Sequence, residues 1–263
     1  MLKNPFLKTL YEKRWVILAW FLAFFLLNLG LIQIFPPMKD AFSTLTDNLP
    51  PELAGWFGQD GQIWSSVRGF VSLQIVGQMG MTMVIFGIIF ALSLLPSEEQ
   101  NRTLLTQLSK PVSRAKLYIH KYFALLSAIT IVCVGFLLGT FIGTIFVDTV
   151  PFLDLLAPTL VVFLLAASFA SLTYALALAT GKKILAGVIV GAYAFIGYFL
   201  AALGGGADIV NTLAHFSPFA YYNDPNVLMD GLAWKNIIFP LILTVAPVVL
   251  AFPIFTKRDL NTH

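Results

Sequence analysis

The chain has 263 residues, of which 58% are hydrophobic and 11% are charged, and its mean hydropathy is +0.85. Soluble domains carry about 25% charged residues, so this composition excludes a water-soluble globular protein and predicts one that lies in a lipid bilayer. The net charge of +3 does not indicate nucleic-acid binding, and the single cysteine, Cys133, excludes a disulfide framework or a cysteine metal site within one chain.

Six apolar segments are long enough to cross a bilayer, which takes about 20 helical residues. The predicted spans are 15–35, 70–95, 122–147, 155–179, 184–203 and 236–255. Before the first span, the basic residues 1–14 predict a short helix on the membrane surface, with a disordered basic tail as the alternative. No cleavable signal peptide is expected, because the first apolar run is long enough to span. The chain is therefore predicted to be all-α, with residues 1–263 forming one transmembrane domain.

Polar and small residues recur at helical spacing within the spans. Gln74 and Gln78 lie on one face of the second span, where they either line a transport pathway or form hydrogen bonds between helices. Glycines at four-residue spacing allow a neighbouring helix to approach closely. These glycines are Gly135, Gly139, Gly143, Gly187 and Gly191. No Asp, Glu, Lys or Arg lies near the middle of a span, which disfavours a carrier driven by ions or protons.

A polar segment, residues 97–121, separates the second and third spans. Its apolar side chains fall on one helical face, and they are Leu104, Leu105, Leu108 and Val112. Ser97 followed by Gln100 fits a capping box at a helix start, and Pro111 ends that helix because proline lacks an amide donor. The pattern predicts a short amphipathic helix, a break, and a second helix that continues into the third span.

The basic residues predict the orientation of the chain. If the N-terminus is cytoplasmic, all of the 16 Lys and Arg residues lie in cytoplasmic segments except Lys39, Arg68 and Lys235. The positive-inside rule therefore predicts that both termini and residues 97–121 are cytoplasmic. The turn Gly181-Lys182-Lys183 does not fit the GxxxxGK[ST] pattern of a phosphate-binding loop, so no nucleotide site of that kind is predicted in this chain.

Three segments together resemble the membrane subunits of ABC-2 type transporters. Residues 97–121 contain EExxRTLLxxLSxPVSR, in which Arg102 stands where the family commonly has glycine. Residues 48–58 read NLPPELAGWFG, like the family's first external loop, and residues 215–225 read HFSPFAYYNDP, with a basic end at 255–260. The resemblance implies an ABC-2 (type V exporter-like) permease fold with six transmembrane helices and both termini cytoplasmic.

The resemblance also implies a role for the polar segment. In this family it is the coupling helix, a short amphipathic helix between helices 2 and 3 that sits in a groove of a separate cytoplasmic ATPase. The residues to which this role is carried over are Glu98, Glu99, Arg102, Thr103, Leu104, Leu105, Leu108, Pro111, Val112, Ser113 and Arg114. The leucines would then be buried in the ATPase groove, and the alternative is that they pack back on the membrane surface.

The expected function is therefore that of a permease subunit in the bacterial cell membrane. The resemblance implies that this chain is non-catalytic and holds no cofactor, and that its partners are two ABC ATPase subunits that bind ATP and Mg and a second permease copy or paralogue. It also implies export of a hydrophobic or amphipathic substrate such as a peptide, a drug or a lipid-like molecule. The alternative is a membrane-embedded immunity or sensor protein that binds a toxic peptide without transport.

Overall fold

The computed structural model describes residues 4–37, 39, 66–72, 77–100, 113–202, 212–213, 215–222 and 227–258. Within these ranges the chain is helical and contains no β-strand, and six helices are long and apolar enough to cross a membrane. They are α1 (Pro5–Gln33), α2 (Gln78–Ser93), α3 (Arg114–Ile145), α4 (Leu156–Thr180), α5 (Lys183–Ala202) and α6 (Trp234–Lys257). The prediction of an all-α protein with six transmembrane helices is confirmed.

Short helices lie at the ends of the spanning helices. They are Val67–Phe70, Leu95–Gln100, the 3-10 helix Phe152–Leu155, Pro218–Tyr222 and Val227–Asp230. Helix α4 occupies the centre of the bundle, where it packs against α2, α3, α5 and α6. Helices α2, α3 and α4 are mostly buried, whereas α1, α5 and α6 expose most of their apolar surface at the periphery.

Helix α1 begins well before the predicted span. Asn4 caps it by accepting a 3.0 Å hydrogen bond from the Phe6 amide, and Pro5 occupies the first turn, where its missing amide costs nothing. No glycine or proline follows until Gly30, so the basic residues continue into the apolar ones without a break. The prediction of a separate surface helix ending near residue 14 is therefore wrong.

Helix α3 also begins earlier than its hydropathy indicated. Ser113 caps it by accepting a 3.2 Å hydrogen bond from the Lys116 amide, and the helix continues from Arg114 to Ile145. Hydropathy located only the part that suits lipid, from residue 122, because the first two turns carry Arg114, Lys116 and Lys121.

The C-terminal half of α3 packs closely on α1. A side chain at Gly135 would lie 2.7 Å from the Phe21 carbonyl oxygen, and one at Gly139 would overlap the backbone of Phe25. Two polar side chains of α1 bind carbonyl oxygens of α3 along the same seam. Asn28 Nδ2 donates to Phe136 O at 3.3 Å, and Gln33 Nε2 donates to Gly143 O at 3.1 Å. Helix α1 therefore depends on α3 for both its close packing and its polar contacts.

We expect Gly139→Ala to destabilise the protein, because the new methyl group would push the backbone of α1 away from α3. Overpacking of this kind costs about 1–3 kcal/mol. Gly191→Ala is the matched control, since a methyl group there meets nothing within 4 Å. Thermal unfolding of the purified protein in detergent should show a lower Tm for Gly139→Ala alone. Equal Tm values for the two variants would contradict this packing.

Candidate functional site

A cluster of charged residues joins three helix ends on one side of the bundle. We call Glu98, Glu99, Arg114, Lys121 and Arg258 the charged cluster. Glu98 and Glu99 belong to the short helix Leu95–Gln100. Arg114 and Lys121 belong to α3, and Arg258 is the residue that follows α6. The cluster therefore flanks residues 101–112 on both sides.

One ion pair of the cluster is almost completely buried. Lys121 Nζ binds Glu98 Oε1, and the side chains of Lys121 and Glu98 are 4% and 17% exposed. Removing one partner of a buried pair leaves an unpaired charge away from water, which destabilises a protein by about 3–5 kcal/mol. This pair fixes the short helix Leu95–Gln100 on the side of α3.

A second ion pair holds the end of α6. Arg258 Nη2 binds Glu99 Oε1, and both side chains are largely buried. Arg114 Nη1 donates a 2.8 Å hydrogen bond to the Arg258 carbonyl oxygen. The last turn of α6 is thus connected to the short helix and to the first residue of α3.

The turn between α4 and α5 also contacts Arg258. Gly181 ends α4 in the left-handed conformation with φ 71°, which favours glycine. A side chain at Gly181 would collide with the Arg258 guanidinium. The left-handed conformation therefore favours glycine at this position, and a larger residue would also displace the Arg258 guanidinium.

Ser97 does not cap a helix as predicted. The amides of Ser97 and Glu98 already donate to the Leu94 carbonyl oxygen at 3.0 and 3.1 Å, so the helical turn begins before Ser97. Pro96 occupies the first turn, where proline is tolerated. Ser97 Oγ instead accepts a 3.4 Å hydrogen bond from Lys183 Nζ at the start of α5. The capping-box prediction is wrong, and Ser97 connects two helices.

The predicted coupling residues are only partly described. Glu98, Glu99 and Arg114 lie in the charged cluster, and Ser113 caps α3. The others lie outside the described residues, and they are Arg102, Thr103, Leu104, Leu105, Leu108, Pro111 and Val112. The coupling role of the segment stays a prediction. The finding is that its flanking acids bind basic residues of this same chain.

A buried tyrosine network lies next to the cluster, and the sequence analysis did not identify it. Tyr118 and Tyr122 of α3 donate to the carbonyl oxygens of Val248 and Thr244 in α6, at 2.9 and 3.0 Å. Tyr174 of α4 donates in turn to the Tyr118 carbonyl oxygen at 2.9 Å. Two features of the sequence could have indicated this network. Tyr118 and Tyr122 are four residues apart, which places them on one helical face, and the sixth predicted span contains three prolines.

The tyrosine bonds flank Pro247 of α6, although the carbonyl oxygen that Pro247 leaves without a helical donor is that of Leu243 rather than that of Thr244 or Val248. Pro240, Pro247 and Pro253 lie inside the helix, and each removes one amide donor from its ladder. Such helices in membranes are stabilised when neighbouring groups bind the backbone. The tyrosines supply hydroxyl donors on either side of Pro247, so they attach α6 to α3 around this proline.

The remaining predicted residues are spread over the bundle. Gln78 is exposed at the first residue of α2, and Gln74 lies outside the described residues, so a pathway role stays a prediction for both. A side chain at Gly187 of α5 would contact Leu92 near the end of α2, whereas one at Gly191 would meet nothing within 4 Å. Among the residues that the structure describes, no group of His, Cys, Asp or Glu could hold a metal ion.

The comparisons with known proteins give one finding. A family model described as "ABC-2 family transporter protein" matches residues 3–260, nearly the whole chain. No match to a curated protein was found.

We expect Lys121→Ala to lower the Tm strongly, because it leaves the Glu98 carboxylate buried beside apolar helices. Arg68→Ala is the matched control. Arg68 pairs with Asp154 at the other end of the bundle, where the two side chains are 43% and 35% exposed, and exposed pairs contribute at most about 1 kcal/mol. Thermal unfolding in detergent at pH 7 measures both. A Tm for Lys121→Ala as high as that of the control would contradict the buried pair.

Proposed function

Since the chain belongs to the ABC-2 transporter family, we propose that it is the permease subunit of an ATP-driven exporter. It is a multi-pass membrane protein, and members of this family generally act with an ABC ATPase subunit. In our proposal two ATPase subunits bind ATP and Mg on the cytoplasmic side, and a second permease copy or paralogue completes the pathway. The complex would reside in a bacterial cell membrane.

The charged cluster is the observation that carries this proposal. It anchors both sides of the predicted coupling helix, since Glu98 and Glu99 precede residues 101–112 and Arg114 follows them. A force applied to that segment would reach α3 through Lys121 and α6 through Arg258. Rigid helices joined by buried ion pairs move together, so motion of the ATPase would be transmitted to two spanning helices at once.

The tyrosine network supports the same pathway of motion. Its hydrogen bonds hold α3 and α6 together over two turns inside the bundle. The charged cluster holds the same two helices at their ends. A displacement of their ends would therefore be carried into the membrane rather than absorbed by bending of α6 at Pro247.

The apolar character of the bundle supports a hydrophobic or amphipathic cargo. No charged residue lies near the middle of a predicted span, and the buried polar side chains of the described helices are chiefly hydroxyls and amides. Hydrophilic or ionic cargo would need charged or strongly polar groups along its path. A peptide, drug or lipid-like molecule would not, and peripheral α1, α5 and α6 offer it apolar surface.

The first experiment tests the partner. The permease is co-expressed with an ABC ATPase encoded beside it and purified by a tag on the permease. We expect the ATPase to copurify with the unmodified chain and with Leu153→Asp, a control at the opposite end of the bundle. We expect Leu104→Asp/Leu108→Asp to release it without lowering the Tm of the permease. An intact complex in the double variant would contradict the coupling role, and resistance conferred without any ATPase would favour the immunity protein instead.

The second experiment tests transmission through the charged cluster. Glu99→Gln removes the charge that binds Arg258 while it keeps the shape of the side chain. In proteoliposomes of the complex, we expect permease-stimulated ATP hydrolysis to fall several-fold while the ATPase remains bound. Asp154→Asn is the control, because it weakens an exposed pair at the other end. Unchanged hydrolysis in Glu99→Gln would show that the cluster does not transmit motion.

A further inference from the structure

A groove of about 420 Å³ lies between the first turn of α1 and the N-terminal half of α3, away from the charged cluster and the tyrosine network. Its lining combines aromatic, aliphatic and polar side chains. The lining residues are Asn4, Phe6, Ile119, His120, Phe123 and Ser127. Neither the coupling role nor the packing of the bundle accounts for this groove.

The apolar part of the lining faces outward. Ile119 and Phe123 are among the exposed large hydrophobic side chains of α3. They lie four residues apart, on the part of the helix that precedes the close packing on α1. In a membrane protein such a surface suits an acyl chain, since water would be in contact with two large apolar groups.

The polar part of the lining carries an orienting hydrogen bond. His120 Nδ1 binds the Lys116 carbonyl oxygen at 2.7 Å. Because Nδ1 is engaged in this way, Nε2 is the ring nitrogen of His120 that can bind a ligand. One stripe of α3 is formed by residues at helical spacing, Lys116, His120, Phe123 and Ser127. The charged residue, Lys116, lies at the N-terminal end of this stripe.

The first turns of α1, whose residues Asn4 and Phe6 line the groove, carry basic and aromatic residues. Lys8, Lys13 and Arg14 lie within the first turns of α1, where Glu12 is the acid. The Arg14 guanidinium lies 4.0 Å from the centre of the Tyr11 ring and 5.5 Å from that of Trp15. Arginine beside tyrosine and tryptophan is typical of the lipid headgroup region. Lys116 lies one helical turn from His120 of the lining, so a positive charge lies beside the apolar part of the groove.

We propose that this groove binds one anionic phospholipid of the cytoplasmic leaflet. The phosphate lies at Lys116 and His120, and an acyl chain follows Ile119 and Phe123. Basic pockets between spanning helices on the cytoplasmic side bind anionic headgroups, which matches this combination of charge and apolar surface. The proposal rests on the orientation given under the proposed function, but on neither the ATPase nor the cargo.

The test uses the purified, delipidated permease in detergent and native mass spectrometry. Phosphatidylglycerol and phosphatidylcholine with identical acyl chains are added at equal concentration. We expect the first phosphatidylglycerol to bind several-fold more than phosphatidylcholine, and an excess of inorganic phosphate to leave it bound. Equal binding of the two lipids, or displacement by phosphate alone, would overturn the proposal.

Variants locate the lipid in the groove. Lys116→Ala/His120→Ala should abolish the preference for phosphatidylglycerol. Lys182→Ala/Lys257→Ala is the matched control, because it removes two exposed basic residues from the same side of the bundle outside the groove. If the first double variant fails to fold, Lys116→Ala alone should reduce the preference. An equal loss in the control would show unspecific surface charge, which overturns the site. The ATPase is absent from this assay, so its outcome is independent of the copurification test.

Discussion

The architecture on one side of the bundle depends on two buried ion pairs. Glu98 and Glu99 belong to the helix Leu95–Gln100, which is described up to the residue that precedes 101–112. Lys121 and Arg258 supply opposite charges from α3 and from the end of α6. Each charge would be costly without its partner in this largely apolar surrounding. The pairs therefore fix the position of the short helix and of the last turn of α6.

Helix α3 has a different function in each half. Its N-terminal half carries the tyrosines that bind carbonyl oxygens of α6, and its C-terminal half carries the glycines on which the backbone of α1 packs. Hydrogen bonds from tyrosines join α3 to α6 on either side of Pro247. Close backbone packing at glycines joins α3 to α1. A single helix thus connects two peripheral helices by two kinds of contact, and the permease function proposed above uses the connection to α6.

The spans could be predicted from the sequence, because about 20 apolar residues in succession are a strong local signal. The continuity of α1 could not, because its charged first turns resemble a separate surface helix. The helix predicted after Pro111 and continuing into the third span is confirmed by the first turns of α3. The pairing of Glu99 with Arg258 was also out of reach, since 159 residues separate them and several other basic residues were equally suitable partners. Ser97 fitted a capping box by its letters, but Pro96 already lies in the first turn of that helix.

The seam between α1 and α3 has a consequence for membrane insertion. Chains are synthesised from the N-terminus, so α1 enters the bilayer before α3 exists. The acceptor of the Asn28 amide, Phe136 O, lies 108 residues further along the chain. During that interval Asn28 and Gln33 of α1 lack the carbonyl oxygens of α3 to which they donate in the folded protein. Helix α1 must therefore be apolar enough to remain in lipid alone, and its final place is decided only when α3 is released beside it.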